Sequence, residues 1–404
     1  MSFRSLQFVA ALLTILPRAY AGEPLSGPLS GPLSGPLAQP VPGPLSDEAV
    51  LGEPVPFHIE SVRARYTNYD QYGHGFQSQA GPLGGPGSER VTVEQPQIEV
   101  VAKQGKFTHR LWIPVDVVTA ASPDAVDVIS TASYRNEAGS IDLASTYQYD
   151  PKTAYQLRAG VHLEEELRSW NFGLGVSRSF ADDNAVVSFS VNQVLDWFDQ
   201  FTVHGVRQSR VFRSSTNGNL SLSQLLSPTT IANVSYGVTV QTGVLGNTWN
   251  SVPLDDGTIG AEKLPRLRHR HALAGRIAQY LPWHGAIHGL YRLYVDNWGL
   301  WGNTLEVELY QRIARWLYLR ANYRFHHQTG IDFFTTRASV DAPLRSADSD
   351  LAPFFAHTVG GLAVVDLPFR GSLNQLHLDF GYDRYFRSND LHVNVFTCAL
   401  GFRF

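Results

Sequence analysis

Apolar and polar residues alternate with a period of two along much of the chain, most plainly between residues 285 and 328. In "AIHGLYRLYVDNW" Ile287, Tyr291, Leu293 and Val295 fall on one face, and His288, Arg292, Tyr294, Asp296 and Trp298 on the other. "NTLEVELYQRI" sorts Leu305, Val307, Leu309 and Ile313 against Thr304, Glu306, Glu308, Tyr310 and Arg312. "WLYLRANYRFHHQ" sorts Leu317, Leu319, Ala321, Tyr323 and Phe325 against Tyr318, Arg320, Asn322, Arg324, His326 and Gln328. Successive side chains of a strand point to opposite faces, so each run predicts a strand with one apolar and one heavily charged face. The runs last 11 to 13 residues. Soluble strands average about five or six, whereas a tilted strand that crosses a hydrocarbon layer needs about ten.

Counting back from Phe404, the same pattern predicts strands near 391–404, 371–386, 356–368, 315–328, 303–313, 285–299, 270–281 and 230–242. It continues near 217–226, 185–196, 168–180, 154–166, 139–150, 107–118, 91–103 and 56–70. The expected fold is all-β: a single transmembrane antiparallel barrel of about 16 strands, within a range of 14 to 18. Short turns are expected at "KQGK", "DPKT", "ADDN", "SPTT", "PWHG" and "DLPF", and long segments near 71–90, 118–138, 197–216, 243–269 and 329–355. That asymmetry suits an outer-membrane barrel with short periplasmic turns, long extracellular loops and both termini periplasmic.

The C-terminal run "LHVNVFTCALGFRF" aligns Phe396, Cys398, Leu400, Phe402 and Phe404 on one face. A last strand of this kind closes the sheet against the first and turns its apolar face to lipid. Leu400, Phe402 and Phe404 are read as the signal that outer-membrane insertion machinery recognises during biogenesis.

Composition agrees with a sheet-rich chain: 12% of residues are aromatic, 17% charged, and 35 are glycine. A net charge of -4 provides no basic field for nucleic acid. One cysteine, Cys398, cannot form an internal disulfide. At the N-terminus Arg4, the apolar run Leu6 to Leu16 and Ala19-Tyr20-Ala21 have the form of a secretory signal over residues 1–21. Residues 22–55 carry "GPLS" repeats whose regular prolines block ladders and helices, so a disordered periplasmic tail is expected, able to meet a periplasmic partner. The barrel then occupies 56–404. After the signal no apolar run reaches the roughly 18 residues of a membrane helix, which leaves a closed sheet as the way to span lipid.

The stretch "LPRLRHRHALAGRIAQYLPWHGAIHGLYRLYVDNWGLWGNTLEVELYQRIARWLYLRANYRFHHQTGIDFF", residues 264–334, resembles the bacterial outer-membrane family catalogued as domain of unknown function 3570. The resemblance rests on "YLP" at 280–282, "YRLYVDNWG" at 291–299, "YR" at 323–324 and "DFF" at 332–334, with "PVDVVTAASPDAVDVISTASY" at 114–134. Asn303-Thr304 stands where the family usually has His-Thr, and "HHQ" where "YYQ" is common. The resemblance implies a barrel and no established activity. Family genes tend to neighbour a thioredoxin-like protein and a flavin transferase, which hints at envelope redox biology.

With apolar faces turned to lipid, Arg270, Arg276, Arg292, Asp296, Glu306, Glu308, Arg320 and Arg324 share the inner wall, close enough to form a lumen charge network. Such a network fixes strand register, selects a passing anion or zwitterion, or docks a partner. Arg266, Arg268, His269 and Arg270, at the membrane end of the 243–269 loop, either narrow the pore or meet lipid phosphates outside. No metal or cofactor is expected: Asp116, Asp124 and Asp127 lack the density of a calcium cage, His326 and His327 point apart, and His269 with His271 lacks a third ligand. No G-x-S-x-G elbow or comparable motif suggests an enzyme. The expected function is a porin-like solute channel; the alternative is a non-channel scaffold barrel in an envelope assembly, redox- or flavin-linked.

Overall fold

The computed structural model describes residues 56–73, 91–120, 136–203, 206–246, 250–369 and 374–404, with side chains throughout except at 116–120 and 136–137. The expected signal and tail (1–55), Asp124 and Asp127, and the side chain of Asp116 therefore lie outside the described residues.

Alternation becomes strand wherever the sequence carries it. The chain builds β1 (His58–Gly73), β2 (Val91–Gln104), β3 (Phe107–Ala120), β4 (Asn136–Asp150), β5 (Thr153–Leu163) and β6 (Leu167–Phe180). Then come β7 (Ala185–Phe201), β8 (Arg207–Ser227) and β9 (Thr230–Gly243). A long connection holds the short hairpin of β10 (Ser251–Pro253) and β11 (Ile259–Ala261). After it run β12 (Leu267–Leu281), β13 (Gly285–Asp296), β14 (Trp301–Ala314), β15 (Leu317–Gln328), β16 (Phe354–Pro368), β17 (Gln375–Arg387) and β18 (Leu391–Arg403). All but the hairpin form one closed antiparallel barrel of sixteen strands, each paired with its neighbour in sequence. β1 and β18 close it, from Ser61↔Arg403 to Gly73↔Leu391. Closure leaves no edge along which another chain would add.

Curvature identifies the inner face, because side chains converge on the concave side of a bent sheet. Three polar contacts skip a strand there: Arg63 with Asp379 across β18, Asn171 with Asp142 across β5, and Asn322 with Asp383 across β16. The opposite face is apolar and uncovered. Leu174 is 66% exposed, and Leu157, Leu220, Ile277, Ile287 and Leu305 are exposed with it. An apolar surface of this extent is stable only against an apolar medium or a partner.

Two belts of exposed aromatic residues bound that band. Phe107, Tyr155, Phe180, Tyr280, Trp283 and Trp316 lie toward the short-turn end; Tyr72, Trp170, Trp301, Phe355 and Phe386 lie toward the other. Rings with one polar edge suit a boundary between lipid and water.

One expected loop is strand instead. Residues 197–201 belong to β7 and 207–216 to β8. Their alternation is obscured because "DQFTVHGVRQSR" is polar on both faces. Ion pairs hold the extension together: Asp199 binds Arg207 and Arg210, the latter at 2.9 Å, and Asp196 binds Arg213 at 2.7 Å.

Candidate functional site

The inner wall is chemically divided. Below the Asp196–Arg213 pair, β6 to β9 supply hydroxyls and amides, among them Asn171, Ser190, Asn192, Ser215 and Asn217, whereas β12 to β15 supply guanidiniums and carboxylates. Ladder register sets the second half. Leu290, Glu306 and Arg324 share one row across β13, β14 and β15; His288, Glu308 and Asn322 share the next.

Glu308 is the hub of the lower part. It accepts hydrogen bonds from Arg320 at 3.4 Å and from the Tyr310 hydroxyl at 3.3 Å, with His288 Nδ1 also at 3.3 Å. Glu306 faces Arg324 at 4.0 Å, and Arg276 is an electrostatic neighbour of both glutamates. Asp296, near the upper end, is bound by Arg268 at 2.8 and 2.5 Å and by the Tyr294 hydroxyl at 3.0 Å. It also accepts the backbone N–H groups of Trp298 at 2.9 Å and Leu300 at 3.1 Å, which fixes the turn into β14.

The expected residues therefore separate into three groups. Arg276, Glu306, Glu308, Arg320 and Arg324 meet one another. Asp296 joins Arg268 rather than Arg270, its partner across the ladder. Among the described residues Arg270 and Arg292 face the lumen without an ion pair or side-chain hydrogen bond; the Tyr294 ring lies 5.9 Å from the guanidinium carbon of Arg292. Arg268 was recognisable from its spacing two residues before Arg270, on the same face. A second network, Arg63, Asp379, His377 and Asp366, sits beside the barrel seam, with His377 2.7 Å from Asp366 and 3.4 Å from Asp379. No local sequence signal marks it, since Arg63 and Asp379 meet only through closure.

The histidines take separate places. His269 and His271 point outward, where His271 meets the Tyr236 hydroxyl at 2.7 Å. His326 turns inward to the Thr304 hydroxyl at 2.9 Å, and His327 is exposed on the other face. Among the described residues no group of three or more His, Cys, Asp or Glu is placed to hold a metal. At the C-terminus Phe396, Leu400 and Phe404 lie exposed on the outer face, with Phe402 partly covered beside them.

Two loops at the far end from the short turns form one folded insert. Residues 244–246 and 250–266 meet residues 329–353 through the bridges Leu254↔Ala338 and Lys263↔Arg345. The Arg345 guanidinium donates to the carbonyls of Ala261, Ser339 and Val340. Val252, Leu254, Ala338 and Ala347 make a small core within it. A second core ties it to the barrel: Trp298, Leu300 and Ile331 pack with the inward-facing Tyr294 and Ala272. Polar anchors add to this. Gln328 donates to the carbonyls of Asp350 and Ala352, and Arg387 pairs with Asp350 at 2.8 Å beneath Phe354. At the base of the 243–269 loop Arg268 turns inward to Asp296 and His269 outward, while Leu245 and Leu264 pack on the inner wall at the mouth.

A closed barrel with an apolar exterior, aromatic belts and an ionic interior is a membrane-spanning β-barrel. The chain belongs to the family described as protein of unknown function (DUF3570), whose profile matches residues 116–394. No curated protein matches the sequence. Among solved structures, one described as a bacterial polysaccharide outer membrane secretin superposes with a TM-score of 0.44 at 8% identity, covering 84% of this chain and 98% of that one. A BenF-like porin from Pseudomonas fluorescens Pf-5 gives 0.44 at 7%, with 86% and 99% covered. OpdK of Pseudomonas aeruginosa with vanillate gives 0.39 at 7%, with 85% and 98% covered. Superpositions this loose carry no functional meaning.

Proposed function

We propose that this chain is a non-enzymatic outer-membrane barrel through which a small water-soluble solute passes, its mouth narrowed by the two-loop insert. The observation that carries the reading is the exposure of charged side chains on the concave face. Arg110 is 46% exposed although it points inward, and Arg158 is exposed beside it on the same wall. Guanidiniums in that state are hydrated, so water fills part of the enclosure. A sixteen-strand cylinder is wide enough for an aqueous path. The outer membrane is the bilayer that suits such a barrel, with the short turns and both chain ends on the periplasmic side and the insert outside.

The experiment is planar-bilayer recording on the purified full-length mature chain. Stepwise currents are expected, with larger steps once residues 250–263 are replaced by a short glycine-serine turn. Silence from both proteins would reject passage and favour a scaffold role in an envelope assembly.

A further inference from the structure

Among the described residues two inner-wall guanidiniums, Arg270 and Arg292, form no ion pair, although Asp296 acts electrostatically on Arg270. In the β12–β13 ladder Arg270 stands opposite Asp296, Ala272 opposite Tyr294 and Ala274 opposite Arg292. Arg270 thus lies one inward position above the Tyr294 row and Arg292 one below it. Both are partly buried, and the Nε of Arg270 is closed off from solvent with no acceptor. Each nearby carboxylate is committed elsewhere: Asp296 to Arg268, Asp196 to Arg213, Glu306 to Arg324. Arg213, Arg268 and Asp296 act electrostatically on Arg270, Arg324 acts on Arg292, and Tyr294 acts on both. Two neighbouring groups, Arg213, Arg268 and Arg270 with Asp196 and Asp296, and Arg292 and Arg324 with Glu306, thus each hold one more guanidinium than carboxylate. Partly burying like charges without partners is unfavourable unless an anion joins them.

We propose that Arg270 and Arg292, with Tyr294 between them, form an oxyanion-binding site in the mouth of the lumen. Its ligand is a small solute bearing a carboxylate or phosphate group. The planar guanidinium fork matches two oxygens of such a group and matches a spherical halide poorly. The insert strengthens the attraction. Trp298, Leu300 and Ile331 cover Tyr294 from above and keep water from that side of the cluster. The adjoining wall of β6 to β9, rich in hydroxyls and amides, offers hydrogen bonds to an anion held there. The site rests on the channel reading only in requiring that solutes enter the lumen; current is not needed to detect binding.

Equilibrium dialysis of the full-length mature chain in detergent, at constant ionic strength, tests it with inorganic phosphate and with succinate as separate probes. Saturable uptake of at least one probe is expected, with chloride unable to displace it at equal concentration. Uptake of phosphate alone would identify an inorganic ligand, and uptake of succinate an organic one. Arg270→Gln and Arg292→Gln should each weaken uptake about tenfold, the scale of one charge-assisted contact. Arg178→Gln, on the outer face, should leave it unchanged. Arg292→Lys keeps the charge without the fork; it should fold like the parent and still lose affinity. Absence of saturable uptake of either probe, or equal uptake by the Arg270→Gln/Arg292→Gln double variant, would overturn the site. A conducting barrel that binds neither probe would reject the site alone; a silent barrel that binds one would reject passage alone.

Discussion

Asp142 and Asn171 lie on strands that do not touch, yet their side chains meet at 2.8 Å because Gly160 stands between them on β5. A Cβ there would lie 1.9 Å from Asp142 Oδ1, inside any allowed contact. Gly360 provides the same gap for Asn322 and Asp383, where a Cβ would come within 1.8 Å of the Asp383 carboxylate. The glycine requirement is therefore steric and comes from its neighbours rather than from its own backbone. Gly160→Ala should displace Asp142, leave a buried carboxylate short of a donor and destabilise the barrel by about 1–3 kcal/mol. Gly275→Ala is the control, since nothing lies within 4 Å of its Cβ position. Its effect should stay within about 0.5 kcal/mol. Urea unfolding of the two variants in matched micelles measures the difference, and equal curves would refute the steric account.

Single elements were legible as far as their two faces differ. β13 to β15 were found because Leu305, Val307 and Leu309 alternate with Glu306 and Glu308, a contrast imposed by lipid on one side and water on the other. The upper parts of β7 and β8 were not: where strands rise past the hydrocarbon both faces are wet and the period disappears. The insert was hidden for another reason, since its core joins residues such as Val252 and Ala347 that only the barrel brings together. Its stability should depend on pH through Asp348, which accepts from the Asp350 backbone N–H at 2.9 Å and from Asn250 at 2.9 Å. Burial and the adjacent Asp350 carboxylate push its pKa up to about 6, against the opposing pull of those hydrogen bonds and of Arg387. The folded insert thus favours the protonated acid. That stabilisation is fully present below the ordinary aspartate pKa of about 4 and is lost as pH rises through about 6. Hydrogen-exchange protection over 250–263, taken relative to the intrinsic exchange rate at each pH, should be greater at pH 5 than at pH 7.5, and Asp348→Asn should remove the difference. An unchanged pH profile in the variant would assign the effect to another group.

At the scale of the whole molecule, the sorting of side chains by face makes the barrel a membrane protein, and that sorting was readable along the sequence in nearly every strand. The charge network was readable only in part. Alternation placed Arg292 and Glu306 on one wall, but pairing depends on register and on side-chain reach, so Arg268 took Asp296 and left Arg270 and Arg292 over. Closure itself created the Arg63–Asp379 contact, which no window of sequence contains. The same sorting predicts opposite responses to one added charge. Leu174, mid-strand on β6, faces outward beside Leu157 and Val191, whereas Asn219, on β8, faces the lumen beside Ser190. Leu174→Arg places a guanidinium in hydrocarbon and should destabilise the inserted barrel by about 2–4 kcal/mol, the cost of arginine near a bilayer midplane. Asn219→Arg places the same group in water and should change stability by less than about 0.5 kcal/mol. Unfolding in phospholipid vesicles compares them directly. If Leu174→Arg proved the better tolerated of the two, the face assigned here to lipid would be the one that meets water.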